Sequence, residues 1–155
     1  MRPPSDLSTR RRTLVTAGLA TMASIAISPN AAAAEPSAAE KTNIQIVNDF
    51  CAAMATHDLD KVMSFFADNG SYRVTETQEP AKGKQAVNDR IKTYLNRVDK
   101  FEVFDTFARG PMVINERTDR FTGGARRAWH GVGVFFLKDG KIVEWYDYTI
   151  STDRA

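Results

Sequence analysis

From Phe101 to Ile150 the chain alternates apolar and polar residues with a period of two, in four long runs. Phe101–Ala108, Met112–Phe121, Ala128–Leu137 and Ile142–Ile150 each read as a strand, because a strand sends successive side chains to opposite faces. Gly110–Pro111, Thr122–Gly123–Gly124 and Lys138–Asp139–Gly140–Lys141 separate them. Connections this short join antiparallel neighbours and leave no room for a parallel crossover. Asp139–Gly140 is the strongest of these turn signals, since glycine accepts the positive φ a tight hairpin demands. The second half of the chain is therefore a meander of long antiparallel strands.

The stretch before it follows a helical period. Ile44, Val47, Phe50, Cys51 and Met54 recur at three- and four-residue steps and predict a helix over Thr42–His57, capped by Thr42 or Asn43. Leu59, Val62, Met63 and Phe66 predict a shorter second helix with Asp58 as its N-cap. Asp68–Asn69–Gly70 reads as a turn, Ser71–Val74 as a short extended segment, and Gln78–Gly83 as a loop marked by Pro80 and Gly83. A third helix is predicted over Lys84–Val98, with Val87, Ile91, Tyr94, Leu95 and Val98 inward. Helices followed by an antiparallel meander argue for an α+β fold: three N-terminal helices packed on a strongly curved, mostly antiparallel sheet, with an apolar hollow between them. Nine phenylalanines and an apolar fraction of 43% suffice for one such core.

Residues 1–34 belong to a different regime. Arg10–Arg11–Arg12 precede a weakly apolar run from Leu14 to Ile27, and Ala32–Ala33–Ala34 offer a small-residue cleavage site. This is the layout of a secretory signal, and the adjacent arginines are similar to a twin-arginine export signal. The run is shorter than the roughly 20 residues that span a bilayer, so the mature protein is expected to have no membrane span and to be exported. Residues 35–41 read as a flexible linker and 42–151 as the folded domain. The leader carries four arginines and one aspartate, so of the net charge of +2 the remaining residues hold −1. A near-neutral body without a basic run lacks the footprint of a nucleic-acid binder. Cys51 is the lone cysteine, at helical spacing between Val47 and Met54, and reads as a small core residue.

Within the strands, three charged residues sit on faces that otherwise look buried. Arg117 and Asp119 share the face of Val113, Asn115 and Phe121, and Asp147 shares the face of Val143 and Trp145. Such groups are costly to bury unless they satisfy one another. They therefore read as one polar cluster inside an apolar pocket, with Trp129, Gly131, Phe135 and Trp145 at the parity to line it. The two histidines, His57 and His130, are distant and lack suitably spaced partners, so no metal site is expected. His57 reads as a helix-end residue, and His130 faces away from Trp129 and Gly131. No Gly-rich phosphate loop or dinucleotide fingerprint is found, and no cofactor is expected.

Phe66–Ala67–Asp68, the Gly83 loop and the closing hairpin Phe136–Ile142 resemble those of the NTF2-like (SnoaL-like) superfamily over residues 42–150. Glu116–Arg117–Thr118–Asp119 and Trp145–Tyr146–Asp147–Tyr148 resemble the two strand motifs of the limonene-1,2-epoxide hydrolase family within it. Tyr72, four residues after Asp68, matches the family's water-holding tyrosine. The resemblance implies a conical fold, Asp147 as general base, Asp119 as general acid, Arg117 bridging them and Tyr72 orienting water. Val74, Asn115, Phe121, Trp129, Gly131 and Trp145 are the expected substrate contacts. One position departs from the family: Val74 stands where an asparagine helps to hold the water. Either fewer groups hold it, with Asn115 or Thr75 as substitutes, or the chemistry has changed.

The implied activity is cofactor-independent hydration of a small or medium lipophilic epoxide, terpene-, steroid- or lipid-like, to a vicinal diol. Alternatives are isomerase or cyclase chemistry of the ketosteroid-isomerase or polyketide-cyclase type, and an exported binder of apolar ligands. The resemblance also implies a homodimer through the outer face of the sheet, where Val132, Val134, Phe136, Tyr146 and Tyr148 form an apolar stripe.

Overall fold

The computed structural model describes residues 35–124 and 127–151, so the export leader expected at 1–34 lies outside the described residues. The elements run α1 (Ala38–Met54), α2 (Leu59–Met63), β1 (Phe66–Arg73), β2 (Ala81–Lys82), α3 (Lys84–Leu95), β3 (Val98–Arg109), β4 (Met112–Phe121), β5 (Ala128–Lys138) and β6 (Lys141–Ser151). They build one curved, open sheet in the order β2-β1-β6-β5-β4-β3. Every pairing is antiparallel except β1 against β6. The meander β3–β6 is the one the period-two pattern predicts. Among the described residues no helix is long and apolar enough to cross a membrane.

The folded domain begins earlier than expected. Ser37 caps α1, its Oγ accepting from the backbone N of Glu40 at 3.3 Å while Glu40 Oε2 accepts from the backbone N of Ser37 at 2.8 Å. This reciprocal pair satisfies two of the helix's orphan donors, so residues 37–40 belong to the fold and not to a flexible linker, and neither Thr42 nor Asn43 is the cap. Glu40 Oε1 also accepts from the backbone N of Gly110 at 2.7 Å, tying the helix start to the β3–β4 turn. These backbone donors, Gly110 first, hold its carboxyl down at about 2. Asp58 caps α2 as predicted, accepting from Lys61 N at 3.0 Å.

Four further differences have local causes. Asp68–Asn69–Gly70 is no free turn but part of β1, where the register against β6 slips between Phe66 and Ser71. The expected loop contains β2, with Tyr72 opposite Ala81. α3 stops at Leu95, and Val98 opens β3, fully buried, instead of closing the helix. A similar slip between Phe136 and Leu137 changes the parity at the start of β6, so Ile142 takes the buried place expected of Val143. Trp145 and Asp147 still point inward.

The core lies between the helices and the inner face of the sheet. Phe50 of α1 stands edge-on to Phe65, Phe66, Phe135 and Trp145, with centroids 5.0–5.9 Å away. Cys51 beside it is 1% exposed, and burial pushes its thiol up to about 12, which makes it a packing residue and not a nucleophile.

Candidate active site

Strand alternation on β4 aims Asn115, Arg117 and Asp119 inward, and all three are buried. In the sheet Arg117 lies opposite Gly131 and Asn115 opposite Gly133, while Gly133 in turn faces Asp147 of β6. Arg117 and Asp147 are thus separated by β5, and a long side chain must cross that strand to join them. The two glycines make the crossing possible: a Cβ at Gly133 would overlap Nη1 of Arg117, and one at Gly131 would overlap the Trp129 ring.

The guanidinium donates from Nε to Asp119 Oδ1 at 2.8 Å and from Nη2 to Asp147 Oδ1 at 2.9 Å, with Asp119 Oδ2 3.5 Å from Nη2. The rings of Phe101, Trp129 and Trp145 surround it at 4.8–5.5 Å, and cation–π attraction partly offsets its lost hydration. Nη1 is buried with no hydrogen-bond partner among the described residues. Burial opposes the charge on Arg117, but the two carboxylates more than restore it, so the side chain stays cationic.

The two acids differ in what donates to them. Asp147 also accepts from Trp145 Nε1 at 2.8 Å and, through Oδ2, from the Tyr72 hydroxyl at 3.4 Å. Asp119 accepts from Arg117 alone among the bonds described. Burial raises both carboxyls. At Asp119 Arg117 opposes the rise and Asp147 adds to it, leaving the group at about 7. At Asp147 burial is opposed by Arg117, Trp145 and Tyr72. Three donors favour an anion at Asp147, where Asp119 has Arg117 alone among the bonds described. The two titrate as a unit.

Both acids and Tyr72 open onto a cavity of about 180 Å³, somewhat larger than the ~150 Å³ hollow that takes up benzene. Val74, Phe121 and Trp129 supply apolar wall, and Thr75, Tyr94 and Arg97 complete the lining. Of the expected site residues, Tyr72, Val74, Asp119, Phe121, Trp129 and Asp147 line this cavity.

The other expected contacts do not. Arg117 is fully buried and sits behind the acids. Asn115 is spent on a structural chain: it donates to Thr106 Oγ1, which donates to Asn48 Oδ1, both at 2.7 Å, and its Oδ1 is 3.7 Å from the Cys51 thiol. Gly131 is covered by Trp129. Trp145 is stacked between Tyr72 and Phe135, so its ring supports the site from below the cavity surface. Phe135 is likewise plain core, at 0% exposure.

Tyr94 and Arg97 were not foreseen as lining. The Tyr94 hydroxyl is 3.0 Å from that of Tyr72. Its signal was present, since a tyrosine on an otherwise aliphatic helical stripe needs a partner for its hydroxyl. Arg97 carries no such signal; its Nη2 donates to Gly123 O at 3.3 Å. His57 holds Val98 O from a positive-φ helix end, and His130 pairs with Glu116 at 3.1 Å away from the cavity.

Fold and site together define a small α+β protein with a ligand-sized hollow and a bridged acid pair at its base. The family model of the SnoaL-like domain matches residues 47–145, and the chain belongs to that family, within the NTF2-like superfamily. Among solved structures it is similar to an LEH-like epoxide hydrolase from M. tuberculosis, at 27% identity and a TM-score of 0.63 over 71% of this chain and 84% of that one. It is also similar to SalBIII, an epoxide hydrolase/cyclase-like enzyme of pyran ring formation in the polyether salinomycin, at 19% identity and a TM-score of 0.66 over 73% and 94%. An NTF2-like protein of unknown function from Cytophaga hutchinsonii matches at 16% identity and a TM-score of 0.59 over 69% and 88%. The last two likenesses speak for the fold alone.

Proposed function

We propose that this chain is a cofactor-independent epoxide hydrolase that adds water to a lipophilic epoxide in one step. The observation that carries the reading is the pair of unlike acids held by one guanidinium at the cavity: Asp147 with three donors, Asp119 with a carboxyl at about 7. Opening an epoxide without a covalent intermediate needs a base and an acid at once. Ionised Asp147 takes a proton from water as the water oxygen bonds to an epoxide carbon. Protonated Asp119 gives its proton to the epoxide oxygen as the C–O bond breaks. Arg117 holds the two carboxyls at fixed orientation throughout. The apolar walls favour a small terpene-like epoxide or the reacting end of a larger steroid- or lipid-like one. The likeness to the M. tuberculosis enzyme supports the same reading.

A single turnover in H₂¹⁸O tests it. One-step hydration puts solvent ¹⁸O in the diol on the first turnover. No diol from any lipophilic epoxide removes the reading and leaves a binding or isomerising role for the cavity.

The assembly we infer is a homodimer through the outer face of the sheet. There Phe107, Ile114, Val134 and Tyr146 line up across four strands. Val132, Val134, Phe136 and Tyr146 of the expected stripe are half-buried within the chain, whereas Tyr148, Phe107 and Phe104 are 43%, 53% and 57% exposed. Sedimentation of the mature protein as a monomer at micromolar concentration rejects this assembly. Export through the leader is inferred from sequence and is tested by fractionating cells that express the full chain.

A further inference from the structure

A water that attacks carbon directs a lone pair at it and gives both hydrogens away, so its position requires two acceptors. Asp147 is one of them. We propose that the hydroxyl oxygen of Tyr94 is the other, which makes Tyr94 a positioning residue for the attacking water. The proposal deepens the hydrolase reading and rests on it.

The hydrogen-bond directions carry the argument. An ionised carboxylate only accepts, so in the 3.4 Å contact with Asp147 the Tyr72 hydroxyl donates its single hydrogen. In the 3.0 Å contact between the two hydroxyls the donor is then Tyr94. The order Tyr94 to Tyr72 to Asp147 leaves the Tyr94 oxygen giving its hydrogen to Tyr72 and accepting nothing among the bonds described. That residue lines the cavity beside Asp147. The Tyr72 oxygen already accepts one bond, from Tyr94, whereas the Tyr94 oxygen accepts none among the bonds described. Other candidates are unfit or already engaged. Val74 has no polar side-chain atom, Thr75 Oγ1 lies 3.3 Å from Thr77 Oγ1, and Asn115 is committed to Thr106. Burial keeps both phenols protonated well into the alkaline range, so the chain of donors persists wherever Asp147 is ionised.

High-resolution crystal structures of the wild type and of Tyr94→Phe, read with kcat and KM for both, test the proposal. Expected is a water within about 3.2 Å of both an Asp147 carboxylate oxygen and the Tyr94 hydroxyl, absent or displaced in Tyr94→Phe. With it goes a fall of roughly 10²-fold in kcat, the scale of a misplaced reactant, and little change in KM. A structural role alone would lower Tm and leave kcat of the folded variant intact. A wild-type site without the bridging water, or a water that keeps its place in Tyr94→Phe with kcat unchanged, overturns the assignment. If the wild type hydrates no epoxide, the hydrolase reading fails by itself. The water and its response to Tyr94→Phe then show only whether Tyr94 holds a water beside Asp147, and its positioning of an attacking water falls with that reading.

Discussion

Strand β4 carries two arginine–carboxylate clusters three residues apart, and they behave as opposites. Arg117 meets Asp119 and Asp147 with side-chain exposures of 0%, 8% and 4%, whereas Arg120 meets Glu102 at 3.1 Å with exposures of 39% and 35%. The bonds are of similar length. In the solvated pair, hydrogen bonds from Lys100 and Arg120 lower the Glu102 carboxyl. In the buried cluster, desolvation outweighs the same kind of partner and drives Asp119 up to about 7. Environment, not partner chemistry, leaves one carboxyl low at the surface and raises the other in the core.

The largest effect that can break this contrast is catalytic. Asp147→Asn and Asp119→Asn are each expected to lower turnover by ~10²–10⁴-fold in a stopped assay of diol formation, while Glu102→Gln leaves it unchanged. Turnover that survives both aspartate changes would remove the buried cluster from the chemistry. Next comes stability. Arg117→Ala strands two carboxyls in the core and should cost about 3–5 kcal/mol in urea unfolding. A loss no greater than that of a surface arginine would show that water reaches the cluster.

Gly133→Ala is expected to cost about 1–3 kcal/mol, because its Cβ would meet Arg117 Nη1 and the Phe135 ring. Differential scanning calorimetry against Gly140→Ala, where the added Cβ meets nothing but φ is +73°, separates overlap from backbone strain.

The pH dependence has a definite sign. Asp119 binds its proton more tightly folded than unfolded, so its contribution to stability is present below the unfolded value of about 4 and is lost as pH rises towards 7. Asp147 acts in the same direction. Stability measured from pH 4 to 8 should therefore fall across this window, and Asp119→Asn should flatten it. Turnover should fall above pH 7 as the acid loses its proton. Smallest is Arg120→Ala, expected within about 1 kcal/mol and weaker still at high salt; a larger loss would mean that the outer pair is shielded, by a second subunit for example.

Much of this was legible in the chain. Period-two alternation broken by glycine turns marked out the meander because each strand is long, so Met112–Phe121 has the predicted bounds. Arg117, Asp119 and Asp147 announced themselves by standing where only apolar residues belong. Less legible were places where one residue changes role through a distant partner. Ser37 reads as a tail residue because the apolar period starts only at Ile44, although Ser37 and Glu40 stand at capping-box spacing. Val143 lost its inward place to Ile142 because a bulge is a register event between strands and leaves no mark in either strand alone. Asn115 was credited to the pocket on parity, yet its amide is consumed by Thr106 of β3.

By itself the sequence determined the α+β order of elements, the antiparallel meander and which three charged side chains turn inward, since all of these follow from local periodicity and the cost of burying charge. Only the tertiary structure decided that Arg117 reaches across β5 over Gly131 and Gly133, and that Tyr94 of α3 meets Tyr72 of β1. The upward shift of both carboxyls was decided there too, because protonation depends on the donors and the dryness that folding brings to each of them, and neither is a property of the residue or its neighbours along the chain.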